Sequence, residues 1–302
     1  MRLRLRTEAA REAAGFYVYT SPWILGFLLF TLGPMVASVV ISLLRWDMMR
    51  SPSWIGLGNY SRALAGDPLF WQSLKVTSIY SVVSVPLGLV LGLFVAILMN
   101  QRIPAMNLFR TIYYLPAVVS GVAVAMLWQL IFNARWGVLN NLLQRLSGIK
   151  GPSWLLDERW VLPAFVLMSI WGIGGGMVIY LAGLQSVPTE LYEAAELDGA
   201  GPFERFGHVT LPWISPVIFF NLVMGIIGSF QVFTNAYVMT RGGPNNASLF
   251  YLLYLYQNAW EYFKMGYASA LAWIAFAITM ALTLLVIKSS PMWVYYAGAR
   301  ER

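Results

Sequence analysis

The acids of this chain are densest in one stretch. Glu193-Ala194-Ala195-Glu196-Leu197-Asp198-Gly199, followed shortly by Val209-Thr210-Leu211-Pro212, is the most polar stretch of a sequence that is otherwise mostly hydrocarbon. These carboxylates have no base or metal partner in sight. His208 is the only histidine and there is no cysteine, so disulfides and thiolate metal sites are excluded. None of the lysines (Lys75, Lys150, Lys264, Lys288) follows a glycine, so a phosphate-binding Gly-Lys-Ser/Thr loop is excluded as well. His208 stands alone and reads as a loop residue rather than a catalyst. What remains for the acids is recognition. Glu190, Glu193 and Glu196 on a short helix could face the arginines of a soluble partner, and the small Ala194 and Ala195 would let that partner approach closely. A solvated connection kept soluble by its acids fits the same pattern.

The residues around the acids dictate how they would be held. Thr189 can cap a helix that starts at Glu190, whose carboxylate suits the positive end of the helix dipole. Gly199 stands where a left-handed C-terminal cap would go. Gly201-Pro202 turns the chain, and Pro202 suits the first position of a second short helix. Leu211-Pro212 then enters the next apolar segment. The expected product is a compact helix-turn-helix between two apolar runs.

Of the 302 residues, 59% are hydrophobic and 11% are charged. A soluble domain carries roughly 25% charged residues, so the chain belongs in a membrane. No Asp, Glu, Lys or Arg occurs between Glu12 and Arg45, Lys75 and Arg102, Arg110 and Arg135, Arg159 and Glu190, Arg205 and Arg241, or Lys264 and Lys288. A spanning helix needs about 20 apolar residues. Each gap fits one helix and not two, which predicts six spans. A further apolar run, Leu249 to Trp260, covers about three turns and is read as a helix lying on the protein or at the interface. The run from Phe16 to Leu44 is too long for a signal-peptide core and has no small-x-small cleavage site, so an uncleaved first helix is expected.

The formal charge of +7 resides at span ends, where basic residues anchor helices against lipid head groups, and nucleic-acid binding is not expected. Arg2, Arg4, Arg6 and Arg11 precede the first span, against Arg45 and Arg50 after it, which favours a cytoplasmic N-terminus. Six spans then place the C-terminus (Lys288, Arg300, Arg302) and the loops around Arg102 and Glu193 inside. Arg45 to Lys75, Arg135 to Arg159 and Arg241 to Lys264 lie outside. Those outer segments carry Trp46, Trp54, Trp71, Trp136 and Trp154, read as an interfacial belt or as a docking surface for an external partner.

Asn221, Gly225, Gly228, Gln231 and Asn235 recur at steps of three and four, which puts them on one helical face of the fifth span. Polar groups in hydrocarbon must be satisfied, so this face should look at protein or water. One reading is a cavity wall where Asn221, Gln231 and Asn235 bond hydroxyls beside Phe230, Phe233 and Tyr237. The other is close helix packing. Gly172, Gly174, Gly175, Gly176 and Gly183 in the fourth span favour packing and a soft point. Pro86 and Pro116 are expected to kink the second and third spans. No charge lies inside any span. Ion-coupled carriers keep ionisable residues at depth, so the chain fits a neutral solute and an energy source elsewhere.

Glu-Ala-Ala, three residues, Gly, nine residues, a β-branched residue, one residue, Leu-Pro resembles the coupling motif of ABC-importer permease subunits. The matching positions are Glu193, Ala194, Ala195, Gly199, Val209, Leu211 and Pro212, with Val209 in place of the usual isoleucine. Gly56-Leu57-Gly58-Asn59-Tyr60, Gly137-Val138-Leu139-Asn140, Thr240-Arg241-Gly242-Gly243-Pro244 and Gly266-Tyr267-Ala268-Ser269-Ala270 resemble the carbohydrate-uptake branch, similar to maltose-type permeases. The resemblance implies an all-α integral membrane protein with six transmembrane helices and a cytoplasmic coupling helix between spans 4 and 5. Residues 1–15 would be an N-terminal tail, 16–288 the transmembrane domain with the coupling loop at 188–212, and 289–302 a C-terminal tail.

It further implies a permease of a prokaryotic cytoplasmic membrane that moves a neutral sugar or oligosaccharide and is not itself an enzyme. The expected partners are an ABC ATPase subunit dimer that carries ATP and Mg, a second homologous permease, an extracytoplasmic solute-binding protein and membrane lipid. No cofactor is expected in this chain. Another cargo such as glycerol-3-phosphate, or a membrane scaffold or enzyme, are the competing readings.

Overall fold

A computed structural model describes residues 8–101 and 103–296. Arg2, Arg4, Arg6, Arg102, Arg300 and Arg302, on which part of the orientation argument rests, lie outside the described residues, as does the side chain of Arg11. In chain order the elements are α1 (Glu8–Phe27), α2 (Gly33–Ser42), β1 (Leu44–Arg45), β2 (Ser53–Trp54), α3 (Gly58–Ser61), α4 (Pro68–Met99), α5 (Met106–Val118), α6 (Gly121–Ile131) and α7 (Val138–Ser147). They continue as α8 (Glu158–Trp171), α9 (Gly174–Gln185), α10 (Thr189–Leu197), α11 (Pro202–Arg205), α12 (Leu211–Ser229), α13 (Thr234–Met239), α14 (Tyr251–Tyr256) and α15 (Met265–Ser289).

Among the described residues, four helices are long and apolar enough to cross a membrane: 12–42, 68–99, 202–239 and 265–292. Two further pairs qualify only when taken together, α5 with α6 across a 100° bend and α8 with α9 across a 44° bend. Counting each bent pair as one span gives up to six, in the six charge-free intervals of the sequence. The bends sit near the anticipated weak points. α5 ends two residues after Pro116, and α8 stops at Trp171, just before Gly172. At Pro86 the helix α4 continues without a break.

The chain divides into two compact units. Its first unit comprises, among the described residues, 8–65 and 258–273. Its β1 and β2 form a small antiparallel hairpin that pairs Leu44 with Trp54 and Arg45 with Ser53. Buried Asn59 donates its amide to the carbonyls of Ser42 (2.8 Å) and Leu44 (2.9 Å), the chain ends that α2 leaves unpaired. The Tyr60 hydroxyl meets that of Ser42 at 2.8 Å. The Gly266 amide donates to the Trp46 carbonyl at 3.2 Å. A Cβ on Gly266 would stand 2.0 Å from the Leu44 carbonyl oxygen, so this close approach admits only glycine.

The second unit comprises, among the described residues, 66–101, 103–257 and 274–296. α4 is its central post, with α8, α9, α12 and α14 packed against it. Phe250 and Tyr251 anchor the α14 segment: Phe250 meets the rings of Tyr80 and Phe165, each at 5.2 Å, and the Tyr251 amide donates to the Thr77 hydroxyl at 2.8 Å. The run beginning at Leu249 thus lies on the protein rather than spanning. In the outer segments Trp54, Trp71 and Trp136 are exposed, as a belt requires. Trp154 is not part of such a belt. It is buried, with its indole N–H donating to Asn140 Oδ1 at 2.7 Å, because Asn140 offers the polar partner a buried indole needs.

Candidate functional site: an exposed helical loop over a charge-free cavity

The acidic stretch forms the compact helix-turn-helix its residues dictate. α10 begins at Thr189, one residue earlier than the capping argument placed it, and Thr189 caps nothing: the N-cap position is Pro188, with no side-chain bond. Proline's fixed φ starts the helix without a hydroxyl. The other end follows the sequence closely. Gly199 adopts φ +82, its amide donates to the Glu196 carbonyl at 3.0 Å, and the Ala200 amide donates to the Ala195 carbonyl at 2.9 Å. This is a complete Schellman closure. Pro202 opens α11, and the Glu204 carboxylate accepts from the Gly201 amide at 2.7 Å. An ion pair between Arg205 and Glu196 ties the two short helices.

A π-helical stretch, Phe206–Thr210, carries the exposed His208 and leads into α12 at Leu211, with Pro212 in its first turn. The loop is seated on an apolar floor of Val95, Ala96, Met99, Met177, Tyr180, Leu184 and Ile214, against which Tyr192, Val209 and Trp213 pack. The Tyr192 hydroxyl meets that of Thr210 at 2.8 Å. The loop's outer surface is unpartnered in this chain. Glu193 and Ala194 are exposed, Ala195 is half-buried, Leu197 is 90% exposed and Phe203 is 91% exposed. Two large apolar side chains offered at this level beside carboxylates form a surface suited to contact rather than to plain solvation.

Beyond the loop, α4, α8, α9 and α12 line an open cavity of about 490 Å³. Tyr80, Ser84, Ser169, Tyr180, Asn221 and Ser229 supply its polar groups, and Gly225 and Gly228 also line it; no charged side chain does. The Asn221 amide bonds back to the Val217 carbonyl at 2.9 Å. Tyr180 is 1% exposed, and its hydroxyl has no hydrogen-bond partner among the described residues.

The expected continuous face does not extend to Gln231 and Asn235. α12 ends at Ser229, where the hydroxyl bonds the Ile226 carbonyl and the Ser81 hydroxyl of α4, each at 2.7 Å. The chain then turns, so Gln231 is exposed on the turn and Asn235 belongs to α13. Neither lines the cavity. Phe233 and Tyr237 instead stack on each other at 5.5 Å and meet Tyr256 at 4.7 and 5.4 Å, with the Arg241 guanidinium over Tyr237 at 5.3 Å. The sequence reading missed Tyr80, Ser84, Ser169 and Tyr180. The available signal was Tyr80 and Ser84, one turn apart in an apolar span. The glycines of the fourth span act mainly in packing: a Cβ on Gly174 would stand 2.0 Å from the Tyr113 carbonyl oxygen, and one on Gly183 2.8 Å from Val217.

Residues 88–297 match the family described as the inner membrane component of binding-protein-dependent transport systems. The chain is 43% identical over 288 residues to the probable ABC transporter permease protein YesP of Bacillus subtilis (strain 168), covering 94% of this chain and 93% of that one. It is 35% identical over 283 residues to the trehalose/maltose transport system permease protein MalF of Thermococcus litoralis, covering 92% and 94%. Its fold is shared with a chain of a bacterial ABC transporter involved in the import of the acidic polysaccharide alginate, at TM-score 0.82 and 24% identity, covering 94% of this chain and 98% of that one. The chain belongs to the family of inner-membrane components of binding-protein-dependent transport systems, the permease subunits of ABC transporters.

Proposed function

We propose that this permease moves a neutral sugar or oligosaccharide inward, driven by ATP hydrolysed in separate subunits. The observation that carries the cargo class is the cavity: its lining is mostly apolar with several hydroxyls, one amide and no charge, and the Tyr180 hydroxyl beside it has no hydrogen-bond partner among the described residues. Relatives named for such cargo include the trehalose/maltose permease MalF and, at 32% identity over 285 residues, the arabinooligosaccharides permease AraP of Bacillus subtilis. A phosphorylated cargo such as glycerol-3-phosphate would need a cation that this cavity does not supply.

α10 serves as the coupling helix in this reading. Leu197 and Phe203 enter an apolar groove of the ATPase subunit while Glu193 meets basic residues there, and Ala194 and Ala195 keep the surfaces close. The ATP and Mg belong to that partner. With six spans and the cytoplasmic N-terminus that the arginines before the first span favour, this loop and both termini face the cytoplasm. A second homologous permease completes the pathway, and an external solute-binding protein delivers the sugar, as in the solved relative crystallised with an alginate-bound periplasmic protein.

The test is gentle purification of the chain from its native membrane, with mass spectrometry of what accompanies it and assay of ATP hydrolysis against candidate sugars. Co-purification of an ATPase and a second permease, with hydrolysis stimulated by one sugar and its binding protein, is expected. Stimulation by glycerol-3-phosphate and by no sugar would refute the cargo class. Purification without an ATPase, from a preparation that preserves other ABC complexes, would refute the coupling role.

A further inference from the structure

The first unit contains a basic pocket that the transport reading leaves unused. It encloses about 270 Å³, and its charged lining is Arg45, Arg62 and Lys264 against the single carboxylate of Asp47. That carboxylate is engaged by its own turn. It accepts from the Arg50 amide at 2.9 Å and the Met49 amide at 3.2 Å, and these bonds, the one from Arg50 foremost, hold its pKa below the ordinary value. Among the described residues no carboxylate forms an ion pair with Arg45, Arg62 or Lys264. The Arg62 guanidinium lies over the Tyr267 ring at 4.7 Å, and the Lys264 ammonium lies 5.3 Å from the Tyr262 ring. These aromatic faces orient the two cations without neutralising them.

The pocket's place along the chain says what medium it meets. Arg45 follows directly on the apolar helix that ends at Ser42, and Lys264 immediately precedes the apolar helix that starts at Met265. Tyr262 and Phe263 beside Lys264 are exposed, as is Trp54 opposite Leu44 in the hairpin. Exposed aromatics together with cations at the ends of apolar helices mark the head-group level of a bilayer. Two guanidinium groups present the forked donors that match phosphate oxygens.

We propose that Arg45, Arg62 and Lys264 bind the phosphate of an anionic phospholipid head group. The site anchors the hairpin end of the first unit to lipid and requires no rearrangement of the chain. A free phosphate ion shares the chemistry, so the test separates the two sources.

The full chain, with whatever subunits co-purify, is exchanged into neutral detergent. It is titrated with phosphatidylglycerol or phosphatidylcholine of matched acyl chains, and bound lipid is counted by native mass spectrometry. Phosphatidylglycerol should be retained in preference to phosphatidylcholine. Neutralising a cation beside an anionic head group should weaken retention about fivefold, so the combined Arg45→Gln, Arg62→Gln and Lys264→Gln variant should lose roughly 100-fold. Arg62→Gln alone should show the fivefold loss, which keeps the test open if the triple variant does not accumulate. Arg135→Gln with Arg145→Gln should leave the preference intact. Equal retention of the two lipids by the unaltered protein overturns the proposal, as does a preference that survives in Arg62→Gln and in the triple variant. Displacement of the lipid by millimolar inorganic phosphate assigns the pocket to a soluble anion, and protection of Arg62 only when an external protein docks assigns it to a protein carboxylate; either result also overturns it.

Discussion

Gly199 is the residue at which local backbone physics and the proposed coupling role separate cleanly. At φ +82 a side chain strains the backbone by about 1–2 kcal/mol. Nothing in the chain lies within 4 Å of the Cβ that a substitution would add, so the isolated chain contributes no clash. Gly199→Ala should therefore open the Schellman closure about 5- to 30-fold more often, the factor that 1–2 kcal/mol represents. Hydrogen exchange at the Ala200 amide, bonded to the Ala195 carbonyl at 2.9 Å, reads that opening directly. Gly199→Asn, whose side chain tolerates the left-handed region, should restore most of the protection. Transport gives the second reading. In the reconstituted transporter Gly199→Ala should retain ATP hydrolysis while lowering uptake per ATP. If the helix end serves coupling only by its shape, Gly199→Asn recovers uptake as it recovers protection. If a partner surface presses on the bare Cα, Asn fails as Ala does. Full coupling in Gly199→Ala despite faster exchange at Ala200 would refute the argument that this cap positions the coupling surface.

Three further substitutions test other parts of the structure. Asn59→Ala removes both donors to the Ser42 and Leu44 carbonyls and should lower stability by about 2 kcal/mol or more, read as a shift of the thermal midpoint in detergent. Gly266→Ala drives a methyl toward the Leu44 carbonyl oxygen, which only a backbone shift relieves, and should cost about 1–3 kcal/mol in the same assay. Tyr180→Phe removes a buried hydroxyl without a partner among the described residues; thermal stability should hold or rise, while the half-saturating sugar concentration for uptake rises about tenfold, the value of one hydrogen bond. An unchanged half-saturation would remove Tyr180 from the sugar site.

The acidic helix-turn-helix was legible because its signals are local. Gly199 ends α10 through bonds that span five residues, and Pro202 opens α11 one turn later, so adjacent residues specify the geometry without help from the rest of the chain. Thr189 misled at the other end because Pro188 already fixed the entry. The charge-free intervals were equally legible, since the cost of burying a charge in hydrocarbon acts on each segment separately. The cavity was not. Its walls come from four helices, and the stripe from Asn221 to Asn235 assumed a helix that continues. The helix instead stops at Ser229, whose hydroxyl bonds Ser81 on α4, a residue 148 positions away that no periodicity argument reaches.

The short glycine- and asparagine-containing segments carry a different lesson, because individually they suggested a branch of the family and no chemistry. In the structure they resolve hydrogen bonding and close approach where apolar helices end. Asn59 takes the two carbonyls at the end of α2 and in β1, and Gly266 lets α15 start against one of them. Asn140 takes the Ala134 and Pro152 carbonyls at 3.2 and 3.1 Å and the Trp154 indole. Ser248 bonds the Gly243 carbonyl and the Thr240 hydroxyl across the Gly-Gly-Pro turn. A helix leaving hydrocarbon must satisfy its last carbonyls before water can; Asn59 does so at the end of α2, while Asn140 and Ser248 bond carbonyls in the turns that follow other helices. These residue types follow from the architecture whatever the cargo, which is why they mark the fold and carry no information about the solute.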